Sequence, residues 1–206
     1  MLTSLIEQAD GVVKTKFGIA PVKSTYSLYQ NPDWAVFCAN RNTNPAVESL
    51  YLPRTYSAHL KQSTDFIDIN FLHEYYGHGL FCEYSAIGQK IARMEQELSE
   101  LEKLMLGTNE LPENQRITVT GNNPYFRDYQ KLRVEFDQFC QEHLAHYEGF
   151  AYWLEYDFAI LFNLIGKWEK IKQKLPEPLR QLFEEVNQFV ERKGEKALME
   201  RVGFSL

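Results

Sequence analysis

His73-Glu74-Tyr75-Tyr76-Gly77-His78 is the stretch on which the reading of this chain turns. A helix-borne His-Glu pair followed by a second His is the arrangement of a zinc hydrolase. The two imidazoles hold the ion, and the glutamate beside the first serves as general base. The usual spacing sets the histidines at i and i+4, about 40° apart around the helix. Here they stand at i and i+5, which at ~100° per residue leaves them about 140° apart, and a regular helix cannot aim both at one ion. A one-residue π-type bulge, of the kind that concentrates at functional sites, brings i+5 back to the face of i. Gly77 suits it, because glycine tolerates distortion. Ser63, Thr64 or Asp65 can cap this helix. Its approach, Phe66-Ile67-Asp68-Ile69-Asn70-Phe71-Leu72, is mostly apolar and predicts burial. Buried imidazoles and carboxylates need partners, and a metal supplies them. The competing reading is two core histidines with backbone partners and a glutamate in an ion pair.

A catalytic zinc takes three protein ligands. The helical stretch 142–155 offers the third. Glu148 has Leu144, Ala145, Ala151 and Tyr152 as its wheel neighbours, an apolar and mostly small face with one carboxylate in its middle. A carboxylate there is costly unless paired or metal-bound, and small neighbours let two helices approach. His143, His146, Tyr147 and Tyr152 are candidates to stabilise an oxyanion. Tyr152 ranks first because it shares the Glu148 face. Glu155 is placed to accept a proton from a ligand imidazole, or to form a plain ion pair. Cys82, His143 or His146 as a fourth ligand would close the site and make it structural. His59, on a predicted strand, reads as structural.

Glu148-Gly149-Phe150-Ala151 resembles the third-ligand segment of the gluzincin metallopeptidases, in which a glutamate on a later helix completes a His/His/Glu site. His73, Glu74, Gly77 and His78 resemble the HExxGH motif of the dipeptidyl peptidase III family at each of its fixed positions. The resemblance implies one Zn²⁺ held by His73, His78 and Glu148, with Glu74 as general base, in a zincin-like domain. It covers two short pieces of the chain. The EECxA-like second motif and the long two-lobed chain of that family are absent here, as is the exopeptidase motif of the aminopeptidases.

The rest of the chain sets the frame. At 206 residues it suits one domain. A formal net charge of −6 without a Lys/Arg cluster argues against nucleic-acid binding. The most apolar run, residues 158–165, is far short of the ~20 residues of a spanning helix, so no membrane partner is expected. The first ten residues lack the basic and apolar regions of a signal peptide. Cys38, Cys82 and Cys140 are odd in number and widely spaced, which predicts buried reduced thiols in a cytoplasmic protein.

Residues 2–17 predict an amphipathic helix. Between 26 and 60, short β-prone pieces at 34–38, 48–52 and 55–59 alternate with turn-rich text and predict two or three strands. Ile91, Met94, Leu98, Leu101 and Met105 step by three and four, and Tyr125, Tyr129, Leu132, Phe136 and Phe139 repeat at helical spacing. Together they predict an antiparallel helical arm. A strand at 117–120 would lie at its tip, and the helical pattern continues to about residue 172 with a break near Gly149. Leu179 to Val190 predict a further amphipathic helix closed by Gly194, with a short tail helix after it.

The expected fold is α+β and predominantly helical, with a small N-terminal antiparallel sheet packed on a metal-binding helix. The segments are 1–62 (helix and sheet), 63–88 (metal helix), 89–141 (arm) and 142–206 (third-ligand and C-terminal helices). The expected function is zinc-dependent hydrolysis of a peptide or protein substrate. The rival is a non-catalytic, metal-stabilised binding or scaffold protein. In either case the arm offers a face to a partner protein or to a second copy of the chain.

Overall fold

The computed structural model of the chain describes residues 2–106 and 124–204. Helix α1 (Leu2–Val12) runs on as a π-helical stretch, Val13–Phe17, which Gly18 ends with a left-handed φ of 68°. Strand β1 (Thr25–Tyr29), helix α2 (Asn31–Ala39) and strands β2 (Ser49–Leu52) and β3 (Ser57–Lys61) follow. Next come α3 (Ile67–Phe71), a π-helical turn (Leu72–His78) and α4 (Gly79–Tyr84). These three run on without a break, because the junction residues keep right-handed helical dihedrals. Helices α5 (Ala86–Leu106), α6 (Pro124–Leu161), α7 (Ile165–Lys174), α8 (Glu177–Lys193) and α9 (Glu195–Arg201) complete the chain. The protein is mostly helical with one small sheet, as expected. No helix of the described residues is long and apolar enough to cross a membrane.

The sheet order is β1-β3-β2, with β3 parallel to β1 and antiparallel to β2. It is therefore mixed, where an antiparallel sheet was expected. The reason lies in residues 34–38, which form the body of α2 and not a strand. Pro32 in the first turn and Asp33 at the positive end of the helix favour a helix start over a turn. Trp34, Phe37 and Cys38 then repeat at helical spacing and bury against Leu52. With α2 and β2 between them, β1 and β3 are joined by a crossover long enough for a parallel return. The piece at 55–59 is also shifted. A 3₁₀ turn (Pro53–Thr55) and a left-handed Tyr56 (φ 47°) delay the strand to Ser57. No side chain caps α3 at Phe66, although Thr64 Oγ1 accepts the Phe66 N–H at 3.2 Å.

Alternation along the strands separates two layers. Leu50 and Leu52 lie toward α2, whereas Tyr51, Ala58 and Leu60 join the main core beneath the π turn. His59 is on the α2 side, stacked on Phe37 at 4.5 Å between centroids. Tyr29 Oη and Ser57 Oγ lie 2.9 Å from its two ring nitrogens. Burial, with Arg41 nearby, pushes its pKa down to about 4 from 6.5. The unfolded chain therefore binds more protons than the native one as pH falls through that window, and stability falls with it. His59→Phe is expected to lower stability at neutral pH and to flatten this acid-side slope. Thermal midpoints measured at pH values across the window would show it.

Ile91, Met94 and Leu98 of α5 are buried against α6. The two helices are antiparallel: Glu102 accepts from Tyr129 at 3.0 Å, and Lys90 Nζ lies over the Phe139 ring at 4.1 Å. The strand expected at 117–120 lies outside the described residues. Gly149 does not break α6, which continues for 38 residues. Its missing side chain admits α8, since a Cβ there would stand 2.7 Å from Val186 Cγ2. The helix pattern breaks instead at Asn163, which adopts a left-handed φ of 59°. Gly194 ends α8 and α9 follows it, both as expected.

Candidate metal centre

The π turn does what the spacing requires. Seven residues, Leu72–His78, wind wide enough for His73 and His78 to share one face, with ring centroids 4.8 Å apart. α6 crosses the turn and delivers Glu148. Its Oε2 lies 3.7 Å from His73 Nε2 and 3.8 Å from His78 Nε2. The ligand atoms of the three side chains all lie within 4.8 Å of one another, so the group could hold a metal ion.

Gly77 lies inside the π turn, as expected, and serves a second purpose there. Its φ is not in the left-handed region. A Cβ on Gly77 would stand 2.8 Å from Ala151 Cβ and 2.9 Å from Ala151 Cα. Glycine is needed here for the close approach of α6. Ala151 is the counterpart small residue, one turn beyond Glu148 on the same face.

Glu155, one further turn along α6, fixes the first imidazole. Its Oε2 lies 2.7 Å from His73 Nδ1, and the carboxylate is 1% exposed. An ionised carboxylate only accepts, so Nδ1 carries the proton. When the ring is neutral its lone pair sits on Nε2, facing Glu148 and His78, but without a metal the ring is charged. Burial by itself would lower the His73 pKa, but the Glu148 and Glu155 carboxylates outweigh it and hold it well above the ordinary value. His78 is buried without a partner for Nδ1, and burial pushes its pKa down to about 3. Burial acts upward on Glu148, yet the two imidazoles bring its carboxyl down to about 2. Once a metal displaces the proton from His73 Nε2, the site offers two imidazole nitrogens and one ionised oxygen. That donor set suits zinc and related first-row divalent ions. The two separations from Glu148 are a few tenths of an ångström wider than the ~3.3 Å edge implied by bonds of ~2.0–2.1 Å at a tetrahedral centre, and the whole group spans up to 4.8 Å. Binding an ion there requires the side chains to draw together. Glu155→Ala is expected to weaken metal binding by roughly 10–100-fold. Competition with a chromogenic chelator would measure it, and an unchanged affinity would remove Glu155 from the site.

Glu74 is buried beside the group without belonging to it. Ser49 Oγ donates to its Oε1 at 2.8 Å. Burial pushes its carboxyl up to about 7, with His73 and the Ser49 hydroxyl pulling against it. Ser49 was not legible in the sequence. Nothing in its local pattern marks it, and only the packing of β2 on the π turn brings it to Glu74. Tyr152 flanks His73 with ring centroids 4.4 Å apart. Burial and the carboxylates of Glu148, Glu155 and Glu74 keep its phenol protonated. Tyr147 stacks on His78 at 4.0 Å between ring centroids. Cys82, His143 and His146 are not part of the ligand group. His143 and His146 instead pair with each other, rings 5.7 Å apart. Among the described residues the group therefore has three protein ligands and no fourth.

Comparisons of the chain with protein-family models, with curated proteins and with solved structures found no significant match.

Proposed function

We propose that this chain is a zinc-dependent peptidase, with His73, His78 and Glu148 as ligands and Glu74 as general base. One observation carries the reading. A widened helical turn and a second helix bring three ligand side chains together beside a buried carboxylate that is not one of them. An ion held by three protein ligands keeps a position for water, which is the catalytic and not the structural arrangement. The order His-Glu-x-x-Gly-His, followed by a glutamate on a later helix, is the feature on which the gluzincin resemblance rests.

A zinc ion there supplies Lewis acidity, lowering the pKa of bound water to ~7 and polarising the scissile carbonyl. The side chains do the remainder. Ser49 holds Glu74 by Oε1, which leaves Oε2 to accept a proton and then return it to the leaving amine. Glu155 keeps the His73 ring oriented through Nδ1. Tyr152, kept as a phenol, is a hydrogen-bond donor for the oxyanion. β2 is an edge strand whose pairing sends the Glu48 carbonyl to β3. By antiparallel alternation the backbone groups of Ser49 and Tyr51 point to the free edge, where an extended peptide can add as a strand.

Metal analysis of the purified chain with and without a chelator, followed by a peptide-library cleavage assay, tests the reading. About one zinc per chain and cleavage that stops on chelation are expected. Stoichiometric metal that raises the thermal midpoint without any cleavage would refute the peptidase and leave a metal-stabilised scaffold.

A further inference from the structure

The two candidate ligand imidazoles are held by different means. His73 is fixed through Nδ1 by the Glu155 carboxylate at 2.7 Å. His78 has no such anchor. It is 4% exposed, and its Nδ1 is buried without a hydrogen-bond partner among the described residues. A metal on Nε2 leaves the ring proton on Nδ1, so the nitrogen that ordinarily orients a ligand histidine is idle here. What touches this ring is aromatic. The Tyr147 ring lies 4.0 Å from it, centroid to centroid, at an interplanar angle of 24°. The His73 ring meets it edge-on at 4.8 Å and 89°, and the Tyr51 ring stands off at 6.1 Å. Tyr147 is pinned from a second side, where the Phe81 ring meets it at 5.5 Å and 78°. Phe81 is fully buried and lies three residues beyond His78, on the same side of the continuous helix. The tyrosine ring is thus wedged between two side chains of the element that carries the ligand.

We propose, resting on the metal site put forward above, that Tyr147 is the positioning residue of His78. Its ring sets, by stacking, the plane in which His78 Nε2 meets the metal. Glu155 does the same for His73 through a hydrogen bond. Stacking restrains the imidazole without asking for a polar partner, which suits a nitrogen that has none. Tyr147 directly precedes Glu148, about 100° away around α6. The helix that delivers the third ligand therefore also delivers the ring that holds the second. The contribution belongs to the ring and not to the hydroxyl. A stack is weaker than a hydrogen bond to a buried carboxylate, so its loss costs less metal affinity than the loss of Glu155.

Zinc affinity of the purified full chain, measured by chelator competition beside the thermal midpoint of the metal-free protein, tests it. Tyr147→Leu is expected to weaken zinc roughly three- to tenfold, and Tyr147→Phe to bind it within about twofold of the native chain. Phe37→Leu, in the separate cluster around α2, should lower the midpoint and leave the affinity unchanged, which separates positioning from stability. Native affinity in Tyr147→Leu would overturn the role of Tyr147 and leave the metal site standing. An equal loss in Tyr147→Phe and Tyr147→Leu would also overturn it, because the hydroxyl would then carry the effect. A native chain that binds no zinc would overturn the metal site, and the role of Tyr147 with it. If Tyr147→Leu does not fold, Tyr147→Met, which fills the space adaptably without a ring, is read in its place against the same expected loss.

Discussion

Glu74→Gln is expected to bind zinc as tightly as the native chain and to cleave peptide about a thousandfold more slowly, within the usual range for loss of a general base. The two halves of that result have separate causes. Glu74 is outside the ligand group, so the amide leaves His73, His78 and Glu148 in place. The amide oxygen can still accept from Ser49 Oγ, so the buried position stays satisfied. What is lost is a basic oxygen at Oε2. Metal content and peptidase rate measured on the same preparation separate the effects. Full activity in the variant would end the proposed mechanism. Loss of the metal would recast Glu74 as part of the binding site.

Gly77→Ala is expected to push α6 off the π turn and to weaken metal binding at least roughly tenfold, with overpacking costing about 1–3 kcal/mol of stability. The added methyl would meet Ala151 Cα as well as its Cβ, and a backbone atom cannot swing aside. α6 must then retreat from the π turn, taking Glu148 away from the imidazoles. The sign of the effect is informative. In an uncrowded helix the same substitution would stabilise by about 1 kcal/mol, because alanine is the better helix former. A raised thermal midpoint with unchanged metal affinity would therefore show that the helices do not meet at Gly77.

Much of the site was legible because ligand chemistry restricts residue type and spacing. A surplus residue between His73 and His78 could be reconciled with one ion only by a wider turn, and the turn is π-helical. Glu148 stood out as a lone carboxylate among small apolar neighbours, and Glu155 as a partner for an imidazole. The misread pieces share a cause. At residues 34–38, β-prone side chains outweighed a proline and an acid at the helix start, and the five-residue window was too short for its periodicity to decide. Gly149 read as a helix breaker, since sequence cannot tell a glycine that bends a helix from one that admits a neighbour.

Local patterning by itself marked most of the helices, the buried motif with its two imidazoles, and Glu148 as an isolated carboxylate, because periodicity and residue type are carried by residues close together along the chain. Only the tertiary structure decided that β1 and β3 run parallel, that α6 brings Glu148 to the two imidazoles, that Ser49 reaches Glu74, and that Gly77 and Ala151 touch. Each of these joins segments whose approach depends on the shape of both surfaces, and no stretch of sequence holds both.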